Sequence, residues 1–200
     1  PLIAKNRKFL LKLTLFTWAV LPLVDLGLLI SRESLGANPQ EFIQRYLGTC
    51  ALVLLLVTYS ISLIARVTTS DLVGCRRMVG LFSFLYMTFH FLSYLAFEQN
   101  FLIIDFFEDF LKRPFVFLGT IAFLITIPLA ITSNNRSMKF LGTWWKRLHS
   151  VIVLIIVLSL AHFFLHKAGK NDFFWPLIAS AVFGTVVIVK KSRYFKTKSK

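Results

Sequence analysis

Apolar and polar positions alternate along this chain in long blocks, not at short period. Six apolar stretches, 9–30, 47–65, 78–97, 114–132, 148–166 and 173–189, are separated by polar connections rich in charged residues. A helix rises about 1.5 Å per residue, so roughly twenty residues cross about 30 Å of hydrocarbon. Inside lipid, backbone N–H and C=O groups must be satisfied within the spanning structure, which selects helices here; a membrane β-barrel would read as shorter segments alternating every second residue. The pattern predicts an all-α polytopic bundle of six transmembrane helices. No linker, repeat or low-complexity tract interrupts it, so a single domain is expected over residues 1–200. The first block is too long for the apolar region of a signal peptide, and no small-residue cleavage site follows it.

Composition supports this reading. Of the 200 residues, 56% are hydrophobic, and the mean hydropathy is +0.71, more than a soluble domain of this size carries. The formal net charge of +14 would by itself suit nucleic acid. The basic residues, however, gather in the gaps between apolar blocks, where they set membrane orientation. The expected partner is therefore membrane lipid, with no nucleic acid.

The charges sort by side. Lys5, Arg7, Lys8, Lys12, Arg66, Arg76, Arg77, Arg136, Lys139, Lys146, Arg147 and the tail cations Lys190, Lys191, Arg193, Lys196, Lys198 and Lys200 share one side, 17 of the 23 Lys+Arg. Arg32, Arg45, Lys112, Arg113, Lys167 and Lys170 fall on the other, together with Glu33, Glu41, Glu98, Asp105, Glu108, Asp109 and Asp172. The positive-inside rule then predicts both termini in the cytoplasm of a multi-pass inner-membrane protein. The tail at 190–200 is expected to bind anionic lipid. Segment 101–110 mixes Phe, Leu and Ile with Asp and Glu and is read first as an interfacial amphipathic piece, second as a docking surface.

Ionisable residues inside membrane spans are rare and usually functional. The chain has four histidines, His90, His149, His162 and His166. Imidazole binds iron while neutral and is a common axial ligand of membrane haem. Counted from the basic side, His90 lies about 18 Å and His162 about 21 Å into the bilayer. Two rings at matching depth on separate helices are placed to grip one haem. His149 lies about 20 Å nearer the basic face. The position that would hold its partner carries Arg77, with Arg76 beside it, and these suit haem propionates or a flavin phosphate. His166 is expected to be a solvated histidine at the outer boundary.

Other polar residues change the picture less. Cys50 and Cys75 fall near opposite faces, too far apart to bridge, and lack metal-type spacing, so both are expected to pack as small apolar groups. Asp25 is expected to hydrogen-bond a neighbouring helix or reach the headgroups, with proton relay as the alternative. Trp144, Trp145 and Trp175 are read as interfacial anchors. The 22 Phe are taken as packing or lipid-facing residues.

Taken together, Arg76, Arg77, Met78, Val79, Gly80 and Leu81 leading to His90, Phe91, Leu92, Ser93 and Tyr94, then Arg113-Pro114, the run from Leu129 to Ser133, and Leu141-Gly142 through Trp145, Leu148 and His149 to His162 resemble the ferric-reductase-like transmembrane family, within it the MsrQ (YedZ) family of haem-binding membrane subunits. The chain departs from that pattern at Thr49, where Arg is frequent, and at Asn38, where Asp is frequent. The resemblance implies a haem b protein, with one haem or two, ligated by His90, His149 and His162, and an association with FMN. It implies electrons taken from the quinone pool or a cytosolic flavin reductase and delivered to a periplasmic molybdopterin-containing methionine sulfoxide reductase. No Gly-rich phosphate fingerprint is present, so the expected role is a redox subunit of an oxidoreductase complex, not a stand-alone enzyme. The rivals are direct reduction of external Fe(III) or oxygen, and a non-redox transporter or scaffold.

Overall fold

A computed structural model of the protein describes the backbone of residues 2–198 and the side chains of residues 6–192. Its helices are α1 (Leu2–Ser31), α2 (Pro39–Val67), α3 (Arg76–Phe97), α4 (Ile103–Lys112), α5 (Pro114–Ile131), α6 (Asn135–Leu141), α7 (Thr143–Ser150), α8 (Ile152–Ala168) and α9 (Phe174–Lys198), and a 3₁₀ turn, Ser70–Cys75, leads into α3. Among the described residues, six helical units of 18 to 29 residues are long and apolar enough to cross a membrane: α1, α2, the turn with α3, α5, α7 with α8, and α9. No strand occurs among the described residues. The six-span, all-α expectation is met. In the basic tail, the side chains of Arg193, Lys196, Lys198 and Lys200 lie outside the described residues, as does that of Lys5.

The second and fifth spans begin well before their hydropathy blocks. Asn38 accepts a hydrogen bond from the Glu41 backbone N–H at 3.2 Å, and Pro39 occupies the first turn, so α2 starts before its apolar run. Capping chemistry, not hydrophobicity, sets that start. Asn and Asp cap about equally well, so the departure from the family pattern at position 38 leaves this role intact. The extension brings Glu41, Gln44 and Arg45 onto the helix. Gly142, at φ +52°, ends α6 and admits α7, which runs into α8 through a Val151 N–H to Leu148 carbonyl bond of 3.2 Å. The fifth span therefore runs Thr143–Ala168.

Small side chains let the helices pair closely. α2 lies along α3: the Ser83 hydroxyl donates to the Ala51 carbonyl at 2.9 Å, and a Cβ at Gly80 would lie only 3.3 Å from the Thr58 methyl. α5 lies along α8 over a core of Ala122, Leu129, Ile152, Ile155, Ile156 and Leu160, which Leu55 and Met87 join to the first pair. α1 is tied on by two polar bonds. Tyr86, fully buried, donates to the Ala19 carbonyl at 2.8 Å, and the Tyr46 hydroxyl donates to Asp25 at 2.8 Å. Asp25 thus bonds a neighbouring helix, and Cys50 and Cys75 are free thiols.

Segment 101–110 forms most of α4. Phe106 packs on Phe91 and Tyr94, and Phe110 on Phe117 at 5.0 Å. Asp109 accepts from Gln99 at 2.7 Å and from Tyr94 at 3.1 Å. Ile103, Ile104 and Leu111 stay exposed on its other face. α4 marks one end of the bundle; the α6 end is opposite.

Tyr86→Phe removes one donor without changing shape. It is expected to destabilise the bundle by about 1 kcal/mol, checked as a lowered thermal midpoint in detergent.

Candidate functional site

His90 stands on α3 and His162 on α8, one on each helix pair. The two ring centroids are 6.1 Å apart, with the planes at 76°. The same local device sets each ring. His90 Nδ1 lies 3.0 Å from the Gln44 carbonyl of α2, and His162 Nδ1 lies 2.7 Å from the Phe115 carbonyl of α5. Four residues after each carbonyl comes a glycine against which the ring rests. A Cβ at Gly48 would lie 3.1 Å from His90 Cε1, and one at Gly119 would lie 2.7 Å from His162 Nδ1. The two helix pairs thus repeat one unit of carbonyl, glycine and histidine.

The carbonyls settle the tautomers. A carbonyl only accepts, so both neutral rings carry the proton on Nδ1 and donate it; the lone pair is then on Nε2. Among the described residues, no group hydrogen-bonds either Nε2. This is the usual disposition of a ligating histidine, whose far N–H is held by a backbone carbonyl or carboxylate.

With each Nδ1 spent on backbone, a metal held by this pair would bind at Nε2. No cluster of three or more His, Cys, Asp or Glu able to hold a metal ion occurs among the described residues. Two protein ligands are too few for a bare ion but sufficient for an iron whose other four ligands come from a porphyrin. The pair therefore fits haem better than a free metal. Phe115 of α5 lies beside His162 at 6.1 Å, and Phe91, next to His90 in the chain, stacks on Phe123 of α5 at 4.9 Å.

The other candidates sit elsewhere. His149, on α7 towards the α6 end, spends its Nε2 on the Thr132 hydroxyl at 3.0 Å. It stacks on Trp145 at 4.0 Å, and Trp145 Nε1 donates to the Thr132 carbonyl at 3.0 Å. No second histidine faces it. Arg77 donates to Asn135 at 2.9 Å, while Arg76 is half-buried. His166 is half-buried, parallel to His162 at 6.5 Å and edge-on to Phe115 at 5.4 Å. Beside it Glu41 pairs with Lys170 and, at 3.6 Å, with Arg45, and Lys167 pairs with Asp172 at 2.5 Å.

Sequence reasoning missed the supporting shell. Gln44 and Phe115 act through backbone atoms, which carry no side-chain signature. Gly48 and Gly119 were legible only as a coincidence of spacing, since each carbonyl precedes its histidine by 46 or 47 residues. Trp145, read as an interfacial anchor, is a support for His149; the exposed Trp144 keeps the anchor role.

Comparison with known proteins identifies the family. Residues 47–160 match the family described as Ferric reductase like transmembrane component. The protein-methionine-sulfoxide reductase heme-binding subunit MsrQ of Herminiimonas arsenicoxydans is 42% identical over 182 residues, covering 90% of this chain and 82% of the relative. Its counterpart in Caulobacter vibrioides is 40% identical over 168 residues, covering 83% and 79%. The magnetosome protein MamZ of Paramagnetospirillum magneticum is 40% identical over 158 residues, 78% of this chain but 24% of that protein. No solved structure matches the chain.

The two glycines should differ on substitution. Gly119→Ala is expected to push the His162 ring off its carbonyl and lose most of a low-spin bis-histidine haem signal. Gly48→Ala needs shifts of only a few tenths of an ångström and should retain the signal with altered g-values. Optical and paramagnetic resonance spectra of the two variants check this.

Proposed function

The chain belongs to the MsrQ family of ferric-reductase-like membrane subunits, and on that footing we propose that His90 and His162 are the axial ligands of one b-type haem in an electron-transfer subunit. The observation that carries the reading is the pair of Nδ1-anchored imidazoles at 6.1 Å. Bound haem supplies one-electron chemistry at iron, which no side chain here supplies. The Gln44 and Phe115 carbonyls hold both rings as neutral Nδ1–H tautomers and raise the basicity of Nε2. Gly48 and Gly119 let the rings lie flush against α2 and α5. The phenylalanines beside them lower the local dielectric and exclude water.

The charge distribution supports the orientation, and the family resemblance supports the direction of transfer. With both termini in the cytoplasm, the histidine pair lies in the periplasmic half of the inner membrane. The acceptor is a periplasmic molybdopterin-type methionine sulfoxide reductase, and the donor is the quinone pool or a cytosolic flavin reductase. At the cytoplasmic end, His149 is the remaining candidate ligand for a second haem. Arg76 and Arg77 are the cations for a cofactor anion there, whether a haem propionate or the phosphate of FMN. The Trp145 stack and the Thr132 bond hold the His149 ring with Nδ1 uncommitted among the described residues.

His90→Ala and His162→Ala should each abolish the low-spin haem, read as loss of the reducible Soret band, while His149→Ala leaves it in place. A full haem complement with an unchanged spectrum in either of the first two variants overturns the ligand assignment. His162→Met should keep the haem and raise its midpoint potential, because a thioether ligand favours the reduced iron.

The acceptor is tested by re-oxidation of the dithionite-reduced protein. Rapid re-oxidation by a methionine sulfoxide reductase with its substrate, and slow re-oxidation by Fe(III) chelates, is expected. The reverse order makes the chain a direct ferric reductase.

A further inference from the structure

One turn beyond the histidine pair, towards the α4 end, two polar side chains stand with donors to spare. Gln44 and Gly48 are four residues apart on α2 and share a face. That face meets His90, since a Cβ at Gly48 would lie 3.1 Å from its Cε1. Helical side chains tilt towards the helix N-terminus, which for α2 is the α4 end, so the Gln44 side chain lies on the outer side of the His90 ring. Its Nε2 is buried and has no hydrogen-bond partner among the described residues. On α8, His166 follows His162 by four residues and stands parallel to it at 6.5 Å. It is half-buried and makes no side-chain hydrogen bond among the described residues.

One turn further out, Glu41 of α2 pairs with Lys170, just past the end of α8, and shares its carboxylate with Arg45 at 3.6 Å. This contact draws the two helix ends together, so Gln44 and His166 border the same edge of the space between the ligand rings. Two cations on one carboxylate also leave a positive charge uncompensated there.

The opposite edge differs. Inward of the rings lies the aliphatic seam of Leu55, Ala122, Ile155 and Ile156, with Met87 packed against it. On that side the unpartnered buried polar atom among the described residues is Ser159 Oγ, three residues before His162. A lone hydroxyl offers a carboxylate one bond and no charge.

A buried amide N–H without an acceptor is costly, and an acceptor oxygen on a bound group removes the cost. Haem carries its two propionate carboxylates on one edge and apolar vinyl and methyl groups on the other. Propionates turned into the seam would bury charge in hydrocarbon. Turned outward, they meet two donors and the surplus positive charge beside Glu41.

We propose that Gln44 Nε2 and His166 donate to the haem propionates and fix the charged edge of the haem towards the α4 end. This rests on the assignment of His90 and His162 as axial ligands.

Resonance Raman spectra and redox titration of the purified, haem-loaded full-length protein test it. Gln44→Leu and His166→Phe should each shift the propionate bending band and lower the midpoint potential, because a propionate that loses a donor favours ferric iron. Haem loss to excess apomyoglobin should quicken about tenfold in each. His166→Gln keeps a donor and should hold the wild-type band, and Ser159→Ala should change neither band nor potential. The low-spin Soret spectrum should persist in all four variants. An unchanged propionate band in Gln44→Leu or in His166→Phe overturns the proposal. So does a shifted band in Ser159→Ala, which would turn the charged edge inward. If one of the first two variants does not insert, the other decides. Should neither insert, the wild type decides alone: a propionate band at the position of bis-imidazole haem in aprotic solvent overturns the proposal. A wild type without a bis-histidine haem spectrum overturns the ligand assignment itself, so the two failures are told apart.

Discussion

A neutral imidazole has one proton to give, and in this bundle both deep histidines give it to backbone. The Nδ1 bonds to the Gln44 and Phe115 carbonyls leave each Nε2 with an uncommitted lone pair. In hydrocarbon no water is present to compete for either nitrogen. The rings therefore have one tautomer and one orientation, and their 6.1 Å separation becomes a fixed property of the scaffold. The remaining architecture can be read as whatever holds four helices so that these two bonds can form.

Glycine does much of that holding. At Gly48 and Gly119 the missing side chain is replaced by an imidazole face, and at Gly80 by the Thr58 methyl. Without a hydrophobic drive between helices in lipid, close packing of small residues and a few polar bonds must supply association. The Ser83, Tyr86 and Tyr46 bonds are of that kind. They join α1, α2 and α3 into one support for His90, while α5 and α8 support His162 over an almost wholly aliphatic seam.

The two ends of the bundle differ in how their charge is balanced. At the α4 end, Glu41 pairs with both Arg45 and Lys170, Asp109 with Arg113, and Asp172 with Lys167. At the α6 end, Asp71 serves Arg7 and Lys8, and Arg66, Arg76 and Lys190 have no ion pair among the described residues.

Hydropathy is a local, additive property of consecutive residues, so the sequence by itself determined the six spans, their all-helical character and the similar depth of His90 and His162. Helix starts at Asn38 and Thr143 escaped a hydropathy reading because caps and positive-φ glycines, not apolar runs, decide them. Depth along a helix comes from rise per residue; facing does not, because azimuth, tilt and spacing are set by packing between helices. Only the tertiary structure could bring His90 and His162 ring to ring, seat each on a glycine from another helix and commit each Nδ1 to a distant carbonyl. It alone separated Trp145 from Trp144, since that outcome depends on a neighbour more than ten residues away in the chain.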